Sequence, residues 1–226
     1  MSRQRREPAD GSQAADDLPA DLRLQILTTE HWSLLSTRAV TWNEAFSRAT
    51  MFLSALSGAV VALALVAGAT SFDSGFLTFS SFLLPVVLFV GVATFRRLVE
   101  INREDVGWVI GMNRLRHAYL EAAPSLRPYF VTGDTDDEPG IMTTFGAKAG
   151  PGGFLHEFVT TAGLIMVVNG VVAGALAAVI GLRLGAHENL TIALVVVIGM
   201  VSIALQAWLQ YRHVIRPRGQ HPRFPG

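Results

Sequence analysis

The chain has 226 residues, of which 50% are hydrophobic and only 16% are charged, and its formal net charge at pH 7 is zero. Soluble domains typically carry about 25% charged residues, so this composition argues against a soluble globular protein. Because the sequence contains no cysteine, it excludes a disulfide framework, a thiolate metal site and a cysteine nucleophile.

The N-terminal segment is polar and contains Pro8 and Pro19. A segment of this composition buries too little apolar surface to order itself, so residues 1–20 are predicted to be a disordered tail. A helix is predicted next, with Thr28 and Thr29 as candidate N-caps. Apolar residues then recur at alternating spacings of three and four, the pattern of an a/d seam. The members of this first seam are Trp32, Leu35, Ala39, Trp42, Phe46, Ala49 and Leu53.

Four long runs of the sequence contain no Asp, Glu, Lys, Arg or His: residues 49–72, 74–95, 158–182 and 189–211. A helix needs about 20 apolar residues to cross a hydrocarbon core about 30 Å thick, and each run meets that length. In lipid every backbone amide must be bonded within its own segment, which favours helices over strands. The sequence therefore predicts an all-α, polytopic membrane protein with four transmembrane helices.

The connections between the four runs are unequal in length. Asp73 alone separates the first two runs and residues 183–188 separate the last two, so each pair is predicted to form a hairpin. The two pairs are joined by the 62 residues 96–157.

The start of this connection carries a second seam, which is predicted to be a helix ended by Pro124. Its members are Ile101, Asp105, Trp108, Met112, Leu115 and Tyr119, with Asp105 as the one polar defect. Because a hairpin makes the first two spans antiparallel neighbours, the two seams are predicted to face each other as a stalk. The residues expected to form it are Trp32, Leu35, Trp42, Trp108, Met112 and Leu115. The alternative is that each seam lies flat on the lipid surface.

Residues 21–124 thus form one unit, a first hairpin with a helical extension on each side. Residues 125–157 lose the helical periodicity and are rich in Gly and Pro, which indicates a flexible loop. Residues 158–211 form the second hairpin, and residues 212–226 are predicted to be a tail.

The basic residues predict the orientation of the chain. Six precede the first span, seven lie in the central connection, four follow the fourth span, and only Arg183 lies in an outer hairpin. Seventeen of the eighteen therefore share one side, which the positive-inside rule assigns to the cytoplasm. We expect a multi-pass protein of the bacterial inner (plasma) membrane, with the N- and C-termini both cytoplasmic.

No catalytic, cofactor-binding or metal-binding residue is predicted. The acidic cluster Asp134, Asp136, Asp137 and Glu138 lacks the spacing of a calcium loop and is interpreted as a solvated turn. The glycine-rich run around Lys148 fails as a phosphate loop, because no Ser or Thr follows the lysine. We therefore expect no enzyme activity, no cofactor and no nucleic-acid partner.

Small and polar residues within the spans are the candidate sites. Small side chains four residues apart let helix backbones approach closely, either within the chain or between copies. They are Ser54, Gly58 and Ala62 on the first span and Gly170, Gly174 and Ala178 on the third. Asn169 and Gln206 could line a pore or hydrogen-bond a neighbouring helix.

Two stretches carry a resemblance to known sequences. TTEHWSLLSTRAVTWNEAFSRATMFLS at residues 28–54 and NREDVGWVIGMNRLRHAYLEAAP at residues 102–124 resemble four-span integral membrane proteins of actinobacteria that have no known activity. The resemblance implies no activity, and the features of the sequence favour a non-enzymatic, self-associating interaction or regulatory protein in the lipid bilayer. The alternative is a homo-oligomeric channel or pore.

Overall fold

The computed structural model describes residues 18–146, 161–214 and 222–226. These residues form helices and turns, with no strand among them. The α-helices are α1 (Ala20–Thr70), α2 (Ser74–Ala122), α3 (Glu138–Thr144), α4 (Thr161–Arg183) and α5 (Glu188–Val214), and a 3₁₀ helix covers Pro124–Tyr129. Residues 1–17 of the predicted disordered tail lie outside the described residues. Residues 147–160 and 215–221 lie outside them as well.

Four of these helices are long and apolar enough to cross a membrane. α2 and α5 contain the whole of their uncharged runs, α1 contains its run except residues 71 and 72, and α4 contains the described part of the third run. The prediction of an all-α polytopic fold is confirmed.

Helices α1 and α2 continue far beyond their apolar spans on the same side of the bundle, which we call the extended side. With 51 residues, α1 is about 76 Å long at about 1.5 Å per residue. It begins at Ala20, so the prediction of N-caps at Thr28 and Thr29 is wrong. The hydroxyl of Thr29 instead donates to the carbonyl of Gln25, one turn back inside the helix. The good helix formers between Ala20 and Leu27 explain the earlier start.

Tight turns close both hairpins. Between α1 and α2, Ser71 and Phe72 adopt left-handed backbone angles, with φ of 49° and 59°. Asp73 then caps α2, because its carboxylate accepts hydrogen bonds from the backbone N–H groups of Gly75 at 2.7 Å and Phe76 at 3.3 Å. Gly185, with φ of 74°, turns the chain between α4 and α5.

Helix α4 is the most enclosed of the four. Half of its most apolar stretch (50%) is buried, against 17% in α1 and 11% in α5. It packs on α2 and α5, while α1 packs mainly on α2, so the helices contact in the order α1, α2, α4, α5. The core is built from α1, α2 and α4, with Phe52, Phe95, Leu98, Ile165 and Met166 almost fully buried.

The connection after α2 differs from its prediction. Residues 125–146, expected to be flexible, contain most of the 3₁₀ helix and all of α3, and both pack against α2. This segment has no helical apolar periodicity, and side-chain hydrogen bonds to α2 hold it in place instead. The start of the third span at residues 158–160 and most of the glycine-rich run lie outside the described residues.

Candidate functional site

The most elaborate polar arrangement lies on the extended side, in residues 133–140, which we call the acidic loop. Gly133 and Gly140 close this loop backbone to backbone. A Cβ on Gly133 would lie 2.1 Å from the Gly140 carbonyl oxygen, and a Cβ on Gly140 would lie 2.2 Å from that of Thr135. Only glycine fits at either position, so the two glycines that bound the acidic cluster fix its shape.

Asn113 on α2 fastens the acidic loop to the helix. Its side chain is fully buried and donates to the carbonyl of Thr135 at 2.8 Å. Its amide oxygen accepts hydrogen bonds from the Thr144 hydroxyl at 2.8 Å and from Arg116 at 2.7 Å. A buried amide with its donor and acceptor both used holds the loop in one position.

Asp136 lies at the centre of the loop, and its side chain has no exposed surface. Arg114 donates to it at 2.7 Å, and the backbone N–H groups of Arg223 and Phe224 donate at 2.9 Å each. Burial raises the pKa of this carboxyl, but the donors outweigh it, so the pKa lies below its ordinary value. The interpretation of the acidic cluster as a solvated turn is therefore wrong at Asp136.

Residues 222–226, which we call the tail segment, lie against this loop. Besides the bonds to Asp136, the N–H of Gly226 donates to Asp137 at 3.0 Å, and the N–H of Asp136 donates to the Phe224 carbonyl at 3.3 Å. The Phe224 ring stacks on His117 of α2, with centroids 4.4 Å apart. The acidic loop and α2 thus form a cradle that holds a peptide segment by its backbone and one aromatic ring.

Asp137 has two tasks in this cradle. One oxygen caps α3 by accepting a hydrogen bond from the N–H of Gly140, and it also accepts one from the Thr135 hydroxyl. The other oxygen accepts a hydrogen bond from the N–H of Gly226. The Thr135 hydroxyl, followed by the Gly226 N–H, holds the pKa of this carboxyl below its ordinary value. Asp134 instead forms an ion pair with Arg127 at 3.0 Å.

Below the cradle, the extensions of α1 and α2 lie side by side, as the stalk prediction requires, but the contact register differs. Trp32 and Leu35 are exposed, at 67% and 41%, whereas Met112 and Leu115 are buried. Trp42 and Trp108 are partly buried.

The residues of α1 that face α2 are one position earlier: His31, Leu34, Arg38, Thr41 and Ala45. Their contacts include Leu34 against Gly111, and His31 stacked on Tyr119.

The polar residue Asp105 explains that register. It is 2% exposed and accepts from Arg38 at 2.6 and 3.1 Å and from the Trp42 indole at 3.3 Å. A carboxylate is buried only when it is paired, so Arg38 must face α2. That requirement rotates Trp32 and Leu35 outward, which corrects their assignment to the stalk.

A second ion-pair cluster lies where α1 and α2 leave the apolar spans. Arg97 donates to both oxygens of Glu44 at 2.9 Å and to Glu104 at 2.9 Å, and Arg48 donates to Glu44 at 2.7 Å. Arg97 and then Arg48 hold the pKa of Glu44 down to about 2. These pairs lock the two extensions together near the membrane boundary.

Within the spans, Asn169 and Gln206 are buried and bonded to each other across α4 and α5, Nδ2 to Oε1, at 2.8 Å. Both therefore lie inside this bundle, not along an open surface where a pore would run. Gly91 of α2 makes room for Asn169, because a Cβ there would lie 1.9 Å from the Asn169 amide oxygen. Sequence reasoning missed Gly91, since no small residue lies four positions before or after it.

The two small-residue stripes are in different surroundings. Gly170 and Gly174 are buried against α5, where a Cβ would lie 3.1 Å from the Gly199 carbonyl oxygen and 3.0 Å from that of Val195. Within the chain, this stripe packs on α5. Ser54 and Gly58 are exposed on α1, and Gly58 has nothing within 4 Å of a Cβ. Ala62 and Ala178 are partly buried.

These features define the class of the protein: a multi-pass, all-α membrane protein with an ordered cradle on its extended side. Among the described residues, no group of three or more His, Cys, Asp and Glu side chains is placed to hold a metal ion. Compared with known proteins, the chain matches no family model, no curated sequence and no solved structure.

Proposed function

We propose that this protein is a non-enzymatic, membrane-anchored interaction protein whose cradle binds short peptide segments. The observation that carries the proposal is the tail segment held by Asp136, Asp137 and His117. Three of these contacts use backbone N–H groups, so they suit any short segment that adopts the same backbone shape and places an aromatic ring at the position of Phe224. The carboxylates of Asp136 and Asp137 accept hydrogen bonds from the backbone of the segment, so they bind and orient it. Neither carboxylate is left free to act as a base in catalysis.

The placement of the cradle supports an interaction role in the cytoplasm of a bacterium, at its inner membrane. Seventeen of the eighteen basic residues are on the side of the termini and the central connection. Reporter fusions at residues 73 and 226 test this orientation. A cytoplasmic reporter is expected to be active only at residue 226, and activity at residue 73 would reverse the topology.

Self-association completes the proposal. Ser54 and Gly58 form an exposed small-residue stripe on α1. No described residue lies within 4 Å of a Cβ at Gly58. Close helix packing in lipid favours such stripes. The channel alternative gains no support from Asn169 and Gln206, because each is enclosed and bonded to the other.

The cradle is tested with a labelled peptide of the sequence Pro-Arg-Phe-Pro-Gly, which is that of residues 222–226. The host is the full chain with Phe224→Ala, which removes the stacking on His117 and so weakens the competition from the chain's own tail. Fluorescence anisotropy in detergent should show saturable binding, and weaker binding to the wild type, whose own tail competes.

Asp136→Asn in the same host removes the ionised acceptor of several hydrogen bonds. Each charge-assisted bond is worth about 1.5–3 kcal/mol, so affinity should fall at least roughly tenfold. A peptide with Ala in place of Phe is the matched control and should bind weakly. Equal binding of both peptides, or no effect of Asp136→Asn, would refute the proposed function.

A further inference from the structure

A pocket of about 210 Å³ lies between α2 and α5 on the extended side, away from the cradle. Its lining is partly apolar and partly charged: Phe95, Arg96, Val99, Glu100, Arg103 and Leu209. Phe95 is the last residue of the uncharged run of α2, so the pocket begins where the helix leaves the apolar span.

Two arginines of this pocket have no partner in the part of the chain that the structure describes. Arg96 and Arg103 are exposed, and no hydrogen bond or ion pair to either occurs among those residues. They are seven residues apart, which places them about 10 Å apart along the same face of α2. Arg97, between them, faces away from this pocket and is held by Glu44 and Glu104.

The third charged group of the pocket, Glu100, only partly offsets them. Its carboxylate lies 3.5 Å from Arg97, which draws it toward the neighbouring cluster. The lining carries two positive groups and one negative group, so an anion would be attracted. The apolar residues Phe95, Val99 and Leu209 would contact hydrocarbon rather than a fully hydrated ion.

The wall formed by α5 places the pocket at headgroup depth. Trp208, beside Leu209, is half exposed, and Arg212 lies over its ring at 4.5 Å. Trp and Arg at the end of a span are typical of the membrane–water interface. Basic pockets between spans on the cytoplasmic side bind anionic lipid headgroups.

We propose that this pocket binds the phosphate of an anionic phospholipid between Arg96 and Arg103, with the start of an acyl chain against Phe95, Val99 and Leu209. The site depends on the four-span membrane fold and not on the cradle. It would fix an anionic lipid between the two hairpins, at the point where α2 and α5 contact on the extended side.

The test uses the full chain in nanodiscs of phosphatidylcholine with a minority of phosphatidylglycerol, and counts the lipids retained by native mass spectrometry. Near a membrane surface each arginine contributes a roughly fivefold preference for anionic lipid, so Arg96→Ala and Arg103→Ala should each lower retention about fivefold. Both residues are exposed and unpaired among the described residues, so the variants should keep the wild-type melting temperature. Glu100→Gln removes the opposing charge and should raise retention.

Arg48→Ala is the matched control. It removes the same charge at the same membrane boundary, but Arg48 is paired with Glu44 and lies on α1. Retention should stay within twofold of the wild type. An equal loss in Arg48→Ala and Arg96→Ala would mean diffuse attraction and would overturn the site. Displacement of the lipid by inorganic phosphate in the buffer would identify a free anion as the ligand and would also overturn it.

Discussion

Three pairs of buried or partly buried polar side chains join separate segments of this protein. Arg38 and Asp105 join α1 to α2, Asn169 and Gln206 join α4 to α5, and Arg114 and Asp136 join α2 to the acidic loop. Removing one partner of a buried ion pair costs about 3–5 kcal/mol, because it leaves an uncompensated charge. Such pairs restrict which faces of two helices can meet, so they determine register as well as stability.

At the residue scale, Gly91 gives the sharpest prediction. Gly91→Ala would place a methyl group 1.9 Å from the amide oxygen of Asn169 and 2.8 Å from the Phe52 ring. Both neighbours are fully buried, so neither can move freely, and overpacking of this kind costs about 1–3 kcal/mol. Unfolding in detergent by denaturant or heat measures the loss.

Gly107→Ala on the same helix is its control, because nothing lies within 4 Å of a Cβ there. It should stabilise the protein by about 0.5–1 kcal/mol, the ordinary gain of Ala over Gly in a helix. If Gly91→Ala were as stable as Gly107→Ala, the close contact of α2 with Asn169 would be wrong.

At the element scale, the spans could be predicted from the sequence and the contact register could not. The bilayer imposes long uncharged runs, which mark residues 49–72 and 189–211 without any knowledge of packing. The first seam is one residue out of register because an apolar pattern does not show that Arg38 must reach Asp105. The cradle was not found because Asp136 and Phe224 are 88 residues apart in sequence.

The corrected register is tested by crosslinking, since the chain has no native cysteine. Leu34 contacts Gly111, where a Cβ would lie 3.0 Å from the Leu34 Cδ1 atom. Cysteines at positions 34 and 111 should crosslink efficiently with a short bis-maleimide, within one chain.

The control for this crosslink has cysteines at positions 35 and 111. Leu35 is exposed and lies off the α1–α2 contact, so its yield should be much lower. A higher yield from position 35 would restore the register predicted from the first seam.

Docking of the tail segment should depend on pH. The pKa values of Asp136 and Asp137 are lowered in the folded protein, so both carboxylates stabilise the docked state above the ordinary aspartate pKa of about 4. That stabilisation is lost as the pH falls through the lowered values, where protonation removes the acceptors. The docked state should therefore persist at pH 7 and be released below about pH 4.

Spin labels at Ser125 and Pro225, both exposed, can report this release through the distance between them in double electron–electron resonance. The distance distribution should be narrow at neutral pH and broad in acid. Asp136→Asn should be broad at both. A distribution that stays narrow in acid would show that the two carboxylates do not hold the tail segment.

At the scale of the whole molecule, lipid surrounds helices that differ widely in enclosure. α4 is half buried, whereas α1 and α5 expose most of their apolar stretches to the bilayer. Lipid is as apolar as these side chains, so their exposure carries no penalty and does not by itself indicate a partner. Association between copies must instead come from close backbone contact, and the exposed stripe at Ser54 and Gly58 leaves space for it, because no described atom lies within 4 Å of a Cβ on Gly58.

Replacing glycine by leucine should therefore have different effects in the two stripes, at Gly174 on α4 and at Gly58 on α1. Gly174→Leu would drive a side chain into the backbone of α5 and should lower the melting temperature, since Val195 lies 3.0 Å from a Cβ. In a single chain, Gly58→Leu meets no described residue and replaces glycine by a better helix former, so it should not lower the melting temperature. If the stripe joins two copies, Gly58→Leu should instead lower the mass measured in mild detergent by light scattering. A wild-type protein that stays monomeric at every concentration would refute self-association, while the internal role of Gly174 would stand.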